Sequence, residues 1–362
     1  VQLHQESSRD SGKTSYFLGK MSKSSAEHGA RRATLADIAA RAGVSPATAS
    51  NALTGSRRVD ADTAARVAAA AAALGYTPNL RARGLRTGRA DTIALLSSMP
   101  FAIAGGRARM GFLMEIAGTA AVRALESGIA LILVPPLQHG RAPLRDLPID
   151  GALVVEPLAD DPDIAVLRQR GLPVVAIGQA PGMPDLPFVD LHSFDSTLLL
   201  LRHLQSRGAR QIGLIAGAAP RHAHQEALRA YGAFIAQTGG DRLVAGVAEA
   251  GGAAAAEAAA LAMLRDHPQI DALLVTVDVF AVGARAAAAA LGLDVPQRLM
   301  IATRYDGVHA RECRPPLTVL DLHLDAVAGI AVDRLLGLIA GRPESADQPP
   351  LPTLMAREST AR

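Results

Sequence analysis

From residue 91 onward, strand-length apolar runs alternate with helical stretches, and few folds accept that rhythm. TIALL (92–96), IALILV (129–134), GALVV (151–155) and PVVAI (173–177) form a first set of strand candidates. QIGLIAG (211–217), RLVAGV (242–247), DALLVTV (271–277) and LMIAT (299–303) form a second. Helical segments separate them, at about 111–128, 196–207, 225–238, 253–266 and 279–291. The runs are apolar throughout rather than alternating, as in strands covered on both faces of a parallel sheet. Residues 91–362 are therefore expected to form an α/β body of two parallel sheets, one in each of two lobes. The Ala-rich runs 253–260 and 286–290 are helix formers within it. Apolar residues make up 49% of the 362, enough for this body and for a smaller domain ahead of it.

The smaller domain is written in TLADIAARAGVSPATASNAL (34–53). Leu35, Ile38, Ala39 and Ala42 recur at helical spacing, and Thr34 is placed to cap that helix with Asp37 in its first turn. Gly43 permits a tight turn, and Val44 plugs it. Ser45 caps a second helix whose first position is Pro46. There Ala49, Ala52 and Leu53 face inward, leaving Pro46, Ala47, Thr48, Ser50 and Asn51 outward. A third helix is expected from about Ala61 to Leu74, with Val67, Ala70, Ala71 and Leu74 buried and Gly75 ending it. This is a helix-turn-helix pattern, and small outward residues suit a helix that must fit inside a DNA groove. Asn51 has the sharpest chemistry, because an amide can donate to and accept from adenine together. A three-helix bundle that touches nothing is the alternative on packing alone.

Charge favours the DNA reading. Residues 1–90 hold 14 Lys and Arg against 6 Asp and Glu, leaving 23 against 28 in the remainder. A basic head ahead of a mildly acidic body places any polyanion at the head. All three lysines lie among the serines of residues 1–33, a segment expected to be a disordered basic extension, with Met21 a candidate start. Residues 34–77 form the expected DNA-binding domain and 78–90 a hinge helix and linker. In YTPNLRARGLRTGRA (76–90), Ala82 and Leu85 share one helical face while Arg81, Arg83 and Arg86 lie elsewhere. Gly84 weakens such a helix by roughly 1 kcal/mol relative to alanine, so it is expected to be unfolded when free. Leu85 on a basic segment suits an apolar wedge between base steps, with an ordinary basic linker as the alternative.

Headpiece and hinge in this order resemble the LacI/GalR family of bacterial transcriptional regulators, and the likeness runs to about Ser359. The resemblance implies that the helix at Ser45–Leu53 enters the major groove, with Pro46, Ala47 and Asn51 reading bases, and that Asn79–Leu85 folds on DNA. The candidate DNA contacts are Thr34, Ser45, Pro46, Ala47, Thr48, Ser50 and Asn51 in the head, and Asn79, Ala82, Arg83, Leu85 and Arg86 in the hinge. Many members carry arginine or histidine where this chain has Asn51. The implied body is periplasmic-binding-protein-like, with crossings between lobes near 188–191, 318–322 and 347–351 and a small-molecule effector between the lobes. Asp278 stands where the family has an effector-binding aspartate, and a helix cap is its other reading. Val277 replaces the usual asparagine. Ala227 stands where an arginine is expected, Arg229 lies on another helical face, and His222, His224 and Gln225 are possible substitute donors. Arg304 replaces a usual glycine, and Phe101 and Asp160 match cleft positions more loosely.

The implied function is a sequence-specific regulator, a repressor by expectation, acting as a homodimer on a pseudo-palindromic double-stranded operator. Its effector is expected to be a sugar or related polar metabolite. A single cysteine, Cys313, fits a reducing compartment, no secretory leader opens the chain, and the apolar run 67–76 is too short to span a membrane. A cytoplasmic protein with no membrane partner is expected. No nucleophile elbow, phosphate loop, metal-ligand spacing or GxGxxG after a strand is present, so no enzyme, metal or cofactor is expected. Two rivals remain open at this level: a solute-binding protein without DNA function, and a DNA-binding regulator whose cleft does not respond.

Overall fold

The computed structural model describes residues 33–54, 57–76, 88–104, 111–136, 143–343 and 346–362. Its backbone divides into two compact units that part between Asn79 and Leu80. The expected N-terminal extension up to residue 32 lies outside the described residues, as do the hinge candidates Asn79, Ala82, Arg83, Leu85 and Arg86.

In the first unit, α1 (Leu35–Ala42), α2 (Pro46–Thr54) and α3 (Ala61–Ala73) follow one another at short spacing. Thr34 and Asp37 form a capping box: the Thr34 N–H donates to Asp37 Oδ2 at 2.8 Å, and the Asp37 N–H donates back to Thr34 Oγ1 at 3.4 Å. Gly43 ends α1 at φ +67°, a left-handed conformation that favours glycine over any other residue. The Thr48 N–H donates to Ser45 Oγ at 3.0 Å, which starts α2. Ile38, Ala39, Ala42, Ala49, Val67 and Ala70 are buried together, with Val44, Ala52, Leu53, Ala71 and Leu74 packed against them. This core holds few large side chains, so it is thin and closely spaced.

In the second unit the first sheet has the order β2-β1-β3-β4-β5, with all pairs parallel. Its strands are β1 (Thr92–Ser97), β2 (Ala130–Val134), β3 (Gly151–Val155), β4 (Val174–Ile177) and β5 (Phe188–Val189). The second sheet has the order β11-β10-β9-β8-β6-β7. It is built from β6 (Ile212–Gly217), β7 (Val244–Val247), β8 (Ala272–Val275), β9 (Met300–Tyr305), β10 (Thr318–Asp321) and β11 (Thr353–Met355). Only β11 is antiparallel among these described strands, at the edge beside β10. The body helices, after α4 (Phe101–Ala104), are α5 (Phe112–Glu126), α6 (Pro162–Gln169), α7 (Ser193–Ser206), α8 (His222–Thr238), α9 (Gly252–Asp266), α10 (Asp278–Ala290), α11 (Val308–Glu312) and α12 (Leu324–Ile339). The two Ala-rich segments become α9 and α10, which pack closely on each other. A Cβ at Gly283 would stand 2.2 Å from the Ala253 carbonyl oxygen, so only glycine admits this backbone approach.

The chain changes lobes three times. It leaves the first sheet after β5, returns to that lobe after β10 so that α12 packs on α5, β3, β4 and β5, and then comes back as β11. The crossings expected near 188–191 and 318–322 each open on a strand, β5 and β10, and the chain passes between the lobes directly after it. The second crossing falls at Leu322–His323. The first two crossings share the tripeptide Asp-Leu-His, at 190–192 and 321–323. In both the histidine is left-handed, at φ +49° and +50°, and its N–H donates to the aspartate Oδ1 at 2.8 Å. Both rings reach the third crossing: His192 Nε2 lies 3.3 Å from the Pro349 carbonyl oxygen and His323 Nε2 lies 3.0 Å from Thr353 Oγ1. On α5, Met114, Val122 and Leu125 are exposed along one helical face. Among the described residues no helix is long and apolar enough to cross a membrane.

Candidate functional site

The head offers one candidate surface. In α2 Ala49 is buried, Ser45, Pro46 and Ala47 are exposed, and Thr48, Ser50 and Asn51 are half-buried. The Thr34 hydroxyl donates to Asp37 Oδ2 at 2.7 Å, and Ser45 Oγ lies 2.9 Å from Thr48 Oγ1. These hydroxyls are thus committed to capping, while Pro46 and Ala47 present a smooth small face. Arg57 and Arg58 are exposed beyond the end of α2.

The body offers a cleft where the strands of both sheets end. Glu156 follows β3, Arg221 follows β6, Glu249 follows β7, Thr276 and Asp278 follow β8, and Arg304 and Tyr305 close β9. Ligands of open parallel sheets bind at such carboxyl ends. Arg221 is 2% exposed and holds the centre. Its Nε donates to Glu249 Oε1 at 2.8 Å and its Nη2 to Glu249 Oε2 at 2.9 Å. The same guanidinium crosses to the other lobe, donating to Ser98 Oγ at 3.0 Å, to the Ser98 carbonyl at 3.1 Å and to the Glu156 carbonyl. His224 Nε2 lies 2.8 Å from Glu249 Oε1. Burial alone would push the Glu249 carboxyl up, but hydrogen bonds from His224 and Arg221, with the charge of the guanidinium, outweigh it and hold it at about 2.

Two further contacts join the lobes. Arg304 donates to Glu156 Oε1 at 2.9 Å and to Ser193 Oγ at 2.8 Å. The Tyr305 hydroxyl donates to Glu115 Oε2 at 2.6 Å. Burial, reinforced by that carboxylate, raises the Tyr305 phenol, so it remains a donor. The Tyr305 ring meets Phe112 edge-on, with centroids 5.4 Å apart at 84°. Asp278 is the first residue of α10, and its Oδ1 accepts the Val279 N–H at 2.9 Å. Part of its surface opens to the cleft although it lies deep in the fold. Burial raises its carboxyl, against the pull of His309. The space between these groups is about 60 Å³, far below the roughly 300–1,000 Å³ of a ligand-bearing pocket. The lobes stand closed on their own side chains.

Of the expected effector residues, Asp278, His224 and Arg304 meet in this cleft, and Phe101, Asp160, His222 and Gln225 do not line it. Phe101 is 38% exposed at the start of α4, and Met99 and Ile103 on either side line the cleft in its place. Asp160 is exposed in a left-handed turn after β3. On α8 the turn of the helix that buries His224 carries His222 and Gln225 off that face. Ala227 is buried, and Arg229 pairs outward with Glu226 and lies over the Phe194 ring. The sequence reading missed Glu156, Arg221, Glu249, Glu115, Tyr305 and Phe112. A signal existed for Glu156 and Tyr305: each sits at the carboxyl end of a buried apolar strand.

The comparisons with known proteins follow the same division of the chain. Residues 34–79 match the model of bacterial regulatory proteins of the lacI family, and residues 201–360 match that of a periplasmic binding protein-like domain. A helix-turn-helix head on a two-lobed body of this kind defines a DNA-binding transcriptional regulator. The chain belongs to the lacI family: it is 31% identical to the HTH-type transcriptional repressor PurR of Serratia proteamaculans, over 91% of this chain and 97% of that protein. It is 30% identical to the HTH-type transcriptional regulator CelR of Thermobifida fusca, over 85% and 93% respectively. Among solved structures it is similar to a CelR–cellobiose complex, with a TM-score of 0.66 and 26% identity over 91% of this chain and all of the other. A Lac repressor dimer bound to operator and the anti-inducer ONPF shares the fold, with a TM-score of 0.75 and 24% identity over 92% of this chain and all of the other.

Glu249→Gln is expected to destabilise the body by about 3–5 kcal/mol, because it leaves the buried Arg221 charge uncompensated. The folded carboxyl lies below its ordinary 4.5, at about 2. Its stabilisation is therefore complete above pH 4.5 and lost as pH falls toward 2. Calorimetric melting across that window should show a shallower pH slope in the variant than in wild type. Equal slopes would mean that Glu249 is not held ionised by its partners.

Proposed function

We propose that this regulator is a homodimeric repressor of a pseudo-palindromic operator whose affinity is set by a small polyhydroxylated effector in the interlobe cleft. The observation that carries the effector class is a half-buried carboxylate, Asp278, lining one cleft between two lobes together with the rings of Phe112 and Tyr305. A carboxylate accepts paired hydroxyls, and aromatic rings cover the apolar face of a sugar. Cellobiose, found with the related CelR, has both features. Entry requires the lobes to part at Arg304–Glu156, so ligand and lobe closure are linked, and a coupling of roughly 1–3 kcal/mol suffices to switch operator binding. The domain limits follow the same reading: residues 34–77 are the DNA-binding domain with the helix at Ser45–Leu53 in the major groove, 78–90 form the hinge with Asn79, Ala82, Arg83, Leu85 and Arg86 at DNA, and 91–362 carry effector and dimer contacts. The same reading makes it a cytoplasmic protein that acts by binding rather than by catalysis.

Asp278→Ala should abolish the thermal stabilisation by cellobiose and related oligosaccharides, and with it their effect on operator binding. Operator affinity without ligand should stay within about threefold, which corresponds to roughly 0.7 kcal/mol. Undiminished ligand response in the variant would remove the cleft assignment, and failure to fold would make the aspartate a helix cap alone.

The exposed Met114, Val122 and Leu125 on α5 form the apolar face that a second copy would cover. Leu125→Glu is expected to shift sedimentation from dimer to monomer at micromolar protein and to weaken operator binding at least tenfold, because one head spans only half a site. A variant that sediments as an unchanged dimer would move the interface elsewhere.

Asn51→Ala should cost about 1–3 kcal/mol on the preferred operator and flatten preference at one base pair of each half-site. Selection from randomised sites reads this directly. Identical base preferences in variant and wild type would exclude Asn51 as a reader.

A further inference from the structure

His224 is 8% exposed at its side chain and lines the cleft. Its ring is fixed on two sides. Nε2 faces Glu249 Oε1 at 2.8 Å, and a Cβ at Gly217 would lie 2.1 Å from Nε2, so only glycine at the end of β6 leaves room for the imidazole. Glu249 is gripped by two guanidinium nitrogens of Arg221, the geometry of an ionised carboxylate that can only accept hydrogen bonds. The Nε2 atom must therefore carry the proton it shares with Glu249. In the neutral ring that leaves Nδ1 as a bare lone pair, and Nδ1 is buried without a hydrogen-bond partner. A buried polar atom in that condition is destabilising until something donates to it.

We propose that His224 reads the effector as a hydrogen-bond acceptor: its Nδ1 takes the O–H of a hydroxyl-bearing ligand, and the ring is held in the Nε2–H tautomer by Glu249. This reverses the donor role that the sequence suggested for His224, and it rests on the proposed effector cleft. It also narrows the ligand. A neutral polyol supplies the required O–H, whereas a ligand offering only anionic acceptors meets a lone pair backed by the Glu249 carboxylate. Because Glu249 also grips Arg221, which reaches Ser98 and Glu156 of the other lobe, the acceptor is wired to the contacts that close the cleft.

Two amide variants separate the ring's two nitrogens. A glutamine amide reaches the place of Nε2 and keeps the Glu249 contact but leaves the Nδ1 place empty. An asparagine amide puts an oxygen near the Nδ1 place and gives up Glu249. In titration calorimetry of the full chain with cellobiose, His224→Gln should bind at least about tenfold more weakly than wild type, the loss expected for an unmade buried hydrogen bond. His224→Asn should stay within about threefold. Equal binding by wild type and His224→Gln, or equal losses in both variants, would overturn the acceptor role. Ring nitrogen-15 shifts of the wild-type protein without ligand give an independent reading, and should show a protonated Nε2 and an unprotonated Nδ1 for His224. A proton on Nδ1 sinks the proposal, even if His224→Asn fails to fold. Should cellobiose bind to none of the proteins, the carbohydrate assignment of the cleft fails, and the tautomer alone then decides for or against His224.

Discussion

The closed body depends on one buried cation. Arg221 is removed from solvent, and an unpaired guanidinium there would be strongly destabilising. Each of its hydrogen bonds therefore does more than add a small increment. Glu249 neutralises it within one lobe, and the carbonyls of Ser98 and Glu156 take its remaining donors from the other. Separation of the lobes strips those carbonyls away together, so closure is cooperative by construction. The Arg304–Glu156 pair and the Tyr305–Glu115 hydrogen bond act in parallel across the same gap. A binding cleft lined this way keeps its shape through its own charges, and a ligand must compete with them.

The head solves a different problem with a different material. Its core is mostly alanine around Ile38 and Val67, because three helices can approach closely only where side chains are small. The same economy on the outside leaves Pro46 and Ala47 exposed and smooth. Stability comes instead from caps, with Thr34, Asp37 and Ser45 satisfying amides that a thin core cannot shield.

Much of this was legible in the sequence. Strand runs such as GALVV fall on β3 without adjustment, and α2 begins at the expected proline, since local composition decides such elements. The cleft was only partly legible. Asp278 lies just beyond β8 and Arg304 within the end of β9, and the family resemblance singled out both. Arg221 and Glu249 are 28 residues apart, and although each follows a strand, their pairing is a product of tertiary approach alone. His222 and Gln225 differ from His224 only in angular position on α8, which composition cannot rank without knowing where that helix begins.

The two Asp-Leu-His crossings have a mechanical consequence. Each is a left-handed turn locked by its own aspartate, and the two have the same local geometry on separate strands. Each histidine ring also reaches the segment that returns to the second sheet, His192 at Pro349 and His323 at Thr353. The three connections between the lobes are thereby laced to one another, and a force on one is carried to the other two.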